Sequence, residues 1–112
     1  MKYIVAVIQP YKLEDVKNAL NAIGILGLTV SEVKGYGRQK GQVEIYRGSE
    51  YDVSFVPKVK IEVAVAENML DEVLGVIEKN AKTGKIGDGK IFVMPLDSVL
   101  RIRTGESGDG AL

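Results

Sequence analysis

A glycine-rich turn near the C-terminal third of the sequence has the spacing that most directly suggests chemistry. Residues 83–90 read Thr-Gly-Lys-Ile-Gly-Asp-Gly-Lys, with three glycines in six residues and a lysine on each side of the last two. Closely spaced glycines let successive backbone N–H groups point at one anion. A plain turn between a helix and a strand needs only one glycine. The pattern predicts an anion or phosphate site, which we call the phosphate loop (residues 82–90).

Residues 84–90 also match G-x-x-x-x-G-K, the first seven positions of a Walker A loop. Ile91 stands where that motif places a Ser or Thr ligand for magnesium, and the segment that follows predicts a strand instead of a helix. The Walker interpretation therefore fails on both counts. Gly35-Tyr36-Gly37-Arg38 is a similarly weak match to the dinucleotide fingerprint, because it lacks a third glycine and a following helix.

Two arginines near the end of the chain form a second candidate anion site. Arg101 and Arg103 stand two residues apart, so on an extended segment their guanidinium groups would share one face. Two such groups can bind one polyphosphate. For two arginines taken alone, a solvated edge is the favoured alternative.

Residues 37–55 form a connection that the predicted elements do not need. Compact domains rarely keep a connection longer than ~12–15 residues without a functional reason. The segment holds Tyr46, Ser49 and Tyr51 together with balanced charge. A long hairpin is one interpretation, since residues 43–46 alternate in polarity. A loop that docks a partner or is covalently modified is the other.

The composition excludes several classes of site. The sequence has no histidine and no cysteine, which rules out Cys/His zinc sites, thiol chemistry and a Ser-His-Asp triad. Fifteen basic and fifteen acidic residues give zero net charge, which argues against a general nucleic-acid binder. No stretch approaches the ~20 apolar residues of a membrane span, and residues 1–8 predict a strand instead of a signal peptide. We expect a soluble, cytoplasmic protein.

Hydrophobic periodicity predicts six main elements in one domain, residues 1–112. They are a strand over residues 3–8, a helix over 13–23 ended by Gly24, strands over 28–36 and 59–65, a helix with its apolar stripe over 70–77 and Asn68 as N-cap, and a strand over 91–96.

This order predicts an α+β, ferredoxin-like βαββαβ fold, with a four-stranded antiparallel sheet and two helices on one face. Two helices cover only one face of four strands, yet the first strand is apolar on both faces. The uncovered face therefore predicts a homo-oligomer.

Five blocks of the sequence together resemble the PII nitrogen-regulatory signal-transduction proteins. The blocks are residues 32–41 (EVKGYGRQKG), 46–51 (YRGSEY), 57–62 (PKVKIE), 83–93 (TGKIGDGKIFV) and 101–106 (RIRTGE). The resemblance covers residues 1–112. It implies a homotrimer with ATP or ADP bound between subunits and 2-oxoglutarate bound beside Mg²⁺-ATP. Residues 37–55 would then be the T-loop, which binds partners, and residues 101–112 the C-terminal segment.

The resemblance also implies roles for individual residues. Adenine and ribose contacts would involve Thr29, Gly35, Gly37 and Ala64. Phosphate contacts would involve Arg38, Gly87, Asp88, Gly89 and Lys90, and, lent by a neighbouring subunit, Arg101 and Arg103. The 2-oxoglutarate site would involve Gln39, Lys40, Gly41, Lys58 and Gly87, with Gln39 also completing the magnesium sphere. Tyr51 matches a uridylylated tyrosine, and Ser49 matches a serine that a subset of the family phosphorylates.

Two departures from familiar members of that family bear on function. Ala64 replaces a common valine, so only a backbone contact to adenine carries over there. Ser49 replaces a common alanine. The partners implied are proteins of nitrogen metabolism, such as an ammonium channel, a nucleotidyltransferase or a kinase of arginine synthesis. A membrane would be involved only through a channel partner, and nucleic acid not at all.

Three functions remain open at this stage. The first is a non-enzymatic sensor of ATP/ADP and 2-oxoglutarate. The second is a small phosphate-ester or nucleotide hydrolase, in which Arg38 and the glycines stabilise phosphoryl charge and Asp88 positions water. The third is a ligand-free structural trimer that shares only the fold.

Overall fold

The four strands and two helices predicted from hydrophobic periodicity are all present in the structure. The computed structural model describes residues 1–37 and 55–112. The strands pair in the order β2-β3-β1-β4, and every neighbouring pair is antiparallel. This arrangement confirms the predicted ferredoxin-like βαββαβ fold. The main elements are β1 (Lys2–Ile8), α1 (Leu13–Ala22), β2 (Thr29–Gly35), β3 (Val56–Val65), α2 (Leu70–Ala81) and β4 (Lys90–Pro95).

The core lies between one face of the sheet and the two helices. Alternate residues of β1 and β3 are buried there, as the period of two along a strand requires. Each fully buried Val, Leu or Ile contributes about 1.5–3 kcal/mol relative to an exposed position. Within the described ranges, neither helix is long and apolar enough to cross a membrane. The largest buried side chains are Ile4, Ile8, Val16, Leu20, Ile61, Val65, Val73 and Ile77.

The other face of the sheet has no helix over it. Phe92 and Met94, on the edge strand β4, are 49% and 41% exposed. The Tyr3 hydroxyl on this face donates a hydrogen bond to Glu62 Oε2 at 2.9 Å. Burial, followed by that hydrogen bond and the charge of Glu62, raises the pKa of Tyr3. This face is where the predicted contact between copies would form, and the oligomer stays a prediction.

Gly24 ends α1, as the sequence predicts. Its φ of +95° lies in the left-handed region that glycine adopts without strain. Gly24 N donates to Asn21 O at 3.0 Å, and Ile25 N donates to Leu20 O at 3.0 Å, so the last carbonyls of the helix find partners.

Asn68 does not cap α2, so that prediction is wrong. A single turn of 3-10 helix over Glu67–Met69 comes first, and α2 begins at Leu70 with no side-chain cap. Met69 N donates to Ala66 O at 3.0 Å, so this extra turn takes the place of the cap. Two acidic residues, Asp71 and Glu72, lie in the first turn of α2, where they complement the helix dipole.

The segment after β4 is also different from its prediction. Arg101 and Arg103 lie on a tight turn and not on an extended strand, so the argument that they share one strand face is wrong. Gly105 N donates to Arg101 O at 2.8 Å and closes the turn. An isolated bridge between Leu100 and Ser107 then pairs the two arms of the turn.

Candidate functional site

One end of the sheet gathers most of the predicted site residues that the structure describes. Because neighbouring strands run antiparallel, the ends of β1 and β2 lie beside the starts of β3 and β4. The register pairs Gly35 with Val56, and Val7 with Lys90. The phosphate loop leads into β4, and residues 37 and 55 border β2 and β3. The structure therefore brings the phosphate loop and both boundaries of the T-loop segment to the same end of the sheet.

Three glycines of the phosphate loop adopt backbone angles that other residues rarely tolerate. The φ angles are +86° at Gly84, +106° at Gly87 and +92° at Gly89. Gly89 also packs directly on β1. A Cβ atom added there would lie 1.8 Å from the carbonyl oxygen of Val7, well inside any allowed contact. Gly89 is thus required for the loop to close against the sheet.

Asp88 holds the loop together with its own carboxylate. One carboxylate oxygen, Oδ2, accepts hydrogen bonds from the backbone N–H groups of Thr83 and Gly84, each at 2.8 Å, and the other, Oδ1, accepts the Thr83 hydroxyl. The Thr83 hydroxyl is the largest cause that lowers the pKa of Asp88, burial opposes it, and the backbone bonds add to the lowering. The side chain is therefore turned into the loop. We expect any contact between Asp88 and phosphate to come from the backbone.

Asp88→Asn should make the protein less stable at neutral pH and less sensitive to acid. Asparagine keeps one acceptor oxygen but loses the other, which should cost about 1 kcal/mol of unfolding free energy. A carboxyl whose pKa is lowered by folding stabilises the native state above its unfolded pKa of about 3.9, and this contribution is lost as the pH falls through the lower folded pKa. Urea denaturation at pH 7 and pH 3 measures both effects.

The control for this comparison is Asp97→Asn, which removes an exposed carboxylate after β4. We expect Asp97→Asn to keep the acid sensitivity of the parent chain. Equal acid sensitivity in the parent and in Asp88→Asn would contradict the role assigned to Asp88.

Lys58 joins β3 to the phosphate loop from the helix-free face of the sheet. Its side chain is only 8% exposed, and its ammonium group donates a hydrogen bond to the Gly87 carbonyl. The Cγ atom of Lys58 lies 3.4 Å from the position of a Cβ added at Gly35. A buried charge is costly unless it is paired, and an ammonium has three donors of which Gly87 takes one. The position is thus built to receive further oxygen acceptors.

Thr29 and Ala64 lie farther along the same sheet. Thr29 begins β2 and pairs with Glu62, and Ala64 is two residues beyond Glu62 on β3. Alternation along β3 places Lys58, Glu62 and Ala64 on one face. From Lys58 to Glu62 the strand rises ~13 Å. The predicted adenine contacts at Thr29 and Ala64 thus lie farther along the strands than the predicted phosphate contacts, which lie at the end of the sheet near Lys58.

Arg101 and Arg103 belong to a separate cluster. Within the described parts of the chain, the side-chain hydrogen bonds of Arg101 all stay inside the C-terminal segment, to Glu106 and Leu112. Among the described residues, no side-chain hydrogen bond or salt bridge joins either arginine to the phosphate loop of its own chain. The resemblance assigns them to a neighbouring subunit, and that assignment stays a prediction.

Six predicted residues of the T-loop segment lie outside the described residues. They are Arg38, Gln39, Lys40, Gly41, Ser49 and Tyr51. Gly37 is described, and it lies exposed just beyond β2. Tyr36 and Phe55, at the two boundaries of the segment, pack edge to face with ring centroids 5.5 Å apart.

Sequence reasoning missed a cavity of about 500 Å³ between α2 and the edge strand β4. It lies beside Gly89 and Lys90, and Glu78 and Lys82 contribute charged groups to its lining. The sequence contains little indication of this cavity, since β4 is predicted only as a strand that is apolar on both faces. The apolar lining of the cavity includes Leu74, Ala81, Ile91 and Val93.

The side chains that could bind a metal ion decide whether magnesium fits this site. Residues 1–37 and 55–112 contain no group of three or more His, Cys, Asp or Glu side chains that could hold a metal ion. Magnesium binds oxygen ligands and often keeps only one or two from the protein when phosphates supply the others. A magnesium ion at this site would therefore depend on the oxygens of a bound ligand.

Comparisons with known proteins identify relatives of this chain. A family model described as "Nitrogen regulatory protein P-II" matches residues 1–106. Nitrogen regulatory protein GlnK of Escherichia coli strain K12 is 62% identical over 112 residues, covering the whole of both chains. Nitrogen regulatory protein P-II of Rhizobium etli is also 62% identical, and that of Azospirillum brasilense is 55% identical, each over the full length of both chains. The chain therefore belongs to the P-II family of nitrogen regulatory proteins.

Proposed function

We propose that this chain senses cellular energy and carbon status by binding ATP or ADP and 2-oxoglutarate, and that it passes this signal to protein partners through residues 37–55. The observation that carries the proposal is the closure of the phosphate loop on β1 and on the Lys58 ammonium group. This closure joins an anion-binding turn to a buried cation at the boundary of the T-loop segment.

The local charge favours a polyphosphate. Lys58, Lys82, Lys85 and Lys90 lie in or against the loop, and the one acidic residue of the loop, Asp88, already accepts three hydrogen bonds from Thr83 and Gly84. A chain with zero net charge thus concentrates positive charge where phosphates would lie. Gly87, Gly89 and Lys90 would hold the phosphates, and Thr29, Gly35, Gly37 and Ala64 would line the nucleoside along the strands.

The buried ammonium group of Lys58 suits a small dicarboxylate. A carboxylate of 2-oxoglutarate would occupy donors of Lys58 that Gly87 leaves open. Gln39, Lys40 and Gly41 would complete that site, and Gln39 would supply the one protein oxygen to a magnesium ion bound by phosphates and the oxo acid. Binding of both ligands at the boundary of the T-loop segment would change the conformation that partners recognise.

A regulatory role is favoured over a hydrolase. Hydrolysis needs a group that positions or deprotonates water, and the sequence has no histidine. Asp88, the carboxylate available in the phosphate loop, is held by Thr83 and Gly84. The relatives are also named as regulatory proteins.

The working form that we propose is a cytoplasmic homotrimer. The helix-free sheet face would form the contact between subunits, and each subunit would lend Arg101 and Arg103 to its neighbour's nucleotide. Targets would be proteins of nitrogen metabolism, such as an ammonium channel, a nucleotidyltransferase or an arginine-synthesis kinase. Uridylylation of Tyr51 or phosphorylation of Ser49 would add negative charge to the segment that binds them.

Calorimetric titration of Mg²⁺-ATP into the purified protein tests the nucleotide part of this proposal. We expect saturable binding at one nucleotide per chain. The matched variant is Lys90→Gln, which keeps a long polar side chain and removes one positive charge from the loop. It should bind roughly tenfold more weakly, since it loses one charge-assisted hydrogen bond. No heat of binding with the parent protein would contradict the proposal.

A further inference from the structure

Three backbone hydrogen bonds hold the turn that follows β4. Arg101 N donates to Glu106 O and Gly105 N donates to Arg101 O, each at 2.8 Å, and Gly108 N donates to Val99 O at 3.1 Å. Gly105 adopts a φ of +76°, which suits glycine at the tightest point. These three hydrogen bonds do not involve the side chain of Glu106.

The side chain of Glu106 instead holds the guanidinium group of Arg101. Glu106 Oε1 accepts a hydrogen bond from Arg101 Nη1 at 2.6 Å. The same oxygen accepts the Thr104 hydroxyl at 3.0 Å, and Thr104 Oγ1 accepts the Glu106 N–H at 3.2 Å. The carboxylate is thus fixed on one side by Thr104 and fixes Arg101 on the other.

This arrangement leaves much of Arg101 available to a ligand. A guanidinium group has five N–H donors. In the described chain, Arg101 uses one donor of Nη1 for Glu106 and one of Nη2 for the main-chain oxygen of Leu112, at 3.5 Å. Its side chain is 36% exposed. The remaining donors can bind a phosphate while Glu106 stays in place.

Arg103 differs sharply from Arg101, although it lies only two residues away. Within residues 1–37 and 55–112, Arg103 takes part in none of the side-chain hydrogen bonds or salt bridges. Both arginines carry the same charge, so Arg103 is the matched comparison for Arg101.

We propose that Glu106 is a positioning residue for nucleotide binding, which acts by holding Arg101 in the conformation that contacts the polyphosphate. The inference rests on the proposed nucleotide site and adds a residue to it. Immobilising a long side chain on binding costs about 0.5–1.5 kcal/mol. Glu106 restricts Arg101 during folding, so this cost does not fall on the binding step.

A double-mutant cycle separates this role from a structural one. The probe is Mg²⁺-ATP, and the dissociation constant is measured by calorimetry for the parent, Glu106→Ala, Glu106→Gln, Arg101→Ala, Arg103→Ala and the double variants that combine Glu106→Ala with each arginine variant. Glu106→Ala should bind roughly three- to tenfold more weakly, which corresponds to the cost above. Glu106→Gln keeps the oxygen that accepts from Arg101 and should recover most of the parent affinity.

The decisive comparison is the coupling to the two arginines. Glu106→Ala should have little further effect once Arg101 is alanine, and its full effect when Arg103 is alanine. Glu72→Ala on α2 is the control glutamate and should bind as the parent does. Circular dichroism of each variant shows whether the fold is kept. If Glu106→Ala does not fold, Thr104→Val replaces it in the cycle, because it removes the hydroxyl that holds the Glu106 carboxylate. It should then weaken binding only while Arg101 is present.

Several results would overturn the inference. Unchanged or tighter binding in Glu106→Ala would mean that Glu106 is neutral or competes with the ligand for Arg101. Equal coupling to both arginines, or equal weakening by Ala and Gln, would mean that Glu106 acts through general charge or through the fold. Absence of Mg²⁺-ATP binding by the parent would contradict the proposed nucleotide site itself, and the inference would fall with it.

Discussion

Gly89→Ala is expected to destabilise the protein by more than 3 kcal/mol and to weaken nucleotide binding by roughly a hundredfold or more. A Cβ at this position would lie 1.8 Å from the carbonyl oxygen of Val7, and the φ of +92° is itself unfavourable for alanine. The backbone of β1 cannot move away without breaking the sheet. The loop must therefore lift off β1, which would displace the N–H groups that we propose to bind phosphate.

Gly84→Ala is the matched control for this prediction. Gly84 lies in the same loop at a φ of +86°, but nothing lies within 4 Å of a Cβ added there. Gly84→Ala should lower the free energy of unfolding only by the conformational strain of a positive φ, about 1–2 kcal/mol. Urea denaturation and calorimetric titration of Mg²⁺-ATP measure both variants. If Gly89→Ala were no more damaging than Gly84→Ala, the close packing of the loop on β1 would not be important.

Lys58→Ala and Lys58→Met should both lose 2-oxoglutarate binding and keep ATP binding. Removing one partner of a buried charge pair costs about 2–5 kcal/mol, so the affinity for 2-oxoglutarate should fall on the order of a hundredfold. Methionine keeps the apolar stem beside Gly35 without the ammonium group. ATP affinity should change by less than about threefold, because the loop glycines and Lys90, which we propose to hold the phosphates, are unchanged.

The two Lys58 variants separate charge from packing. Replacing a buried lysine by methionine removes a desolvated charge, so Lys58→Met should unfold at a urea concentration equal to or above that of the parent. Calorimetric titration of 2-oxoglutarate in the presence of Mg²⁺-ATP gives the affinity. Retained 2-oxoglutarate binding in Lys58→Met, or an equal loss of ATP binding, would contradict the role proposed for Lys58.

Local patterns predicted the elements well where burial repeats along the chain. The alternation of Val59, Ile61, Val63 and Val65 predicted β3, and those four side chains are buried. Gly24 predicted the end of α1. The predicted N-cap of α2 at Asn68 was wrong, because a 3-10 turn precedes the helix in place of a side-chain cap.

The sequence predicted which residue types the candidate site contains, but not how they contact one another. Glycine spacing predicted an anion-binding loop, but the packing of Gly89 on Val7 depends on the register between β1 and β4. The contact of Lys58 with Gly87 joins residues 29 positions apart, and no local pattern contains it. Arg101 and Arg103 showed the limit of spacing arguments, since they lie on a turn closed at Gly105 and not on the extended segment that the argument assumed.

The central claim is that one site couples 2-oxoglutarate to nucleotide, and calorimetry tests it most directly. 2-Oxoglutarate is titrated into the purified protein first with Mg²⁺ alone and then with saturating Mg²⁺-ATP. We expect no detectable binding in the first titration and saturable binding in the second. The coupling should be reciprocal, with ATP affinity raised by 2-oxoglutarate through the same free energy, typically ~1–3 kcal/mol. If 2-oxoglutarate fails to bind in the presence of bound Mg²⁺-ATP, or binds equally well without it, the account of a coupled sensor is contradicted.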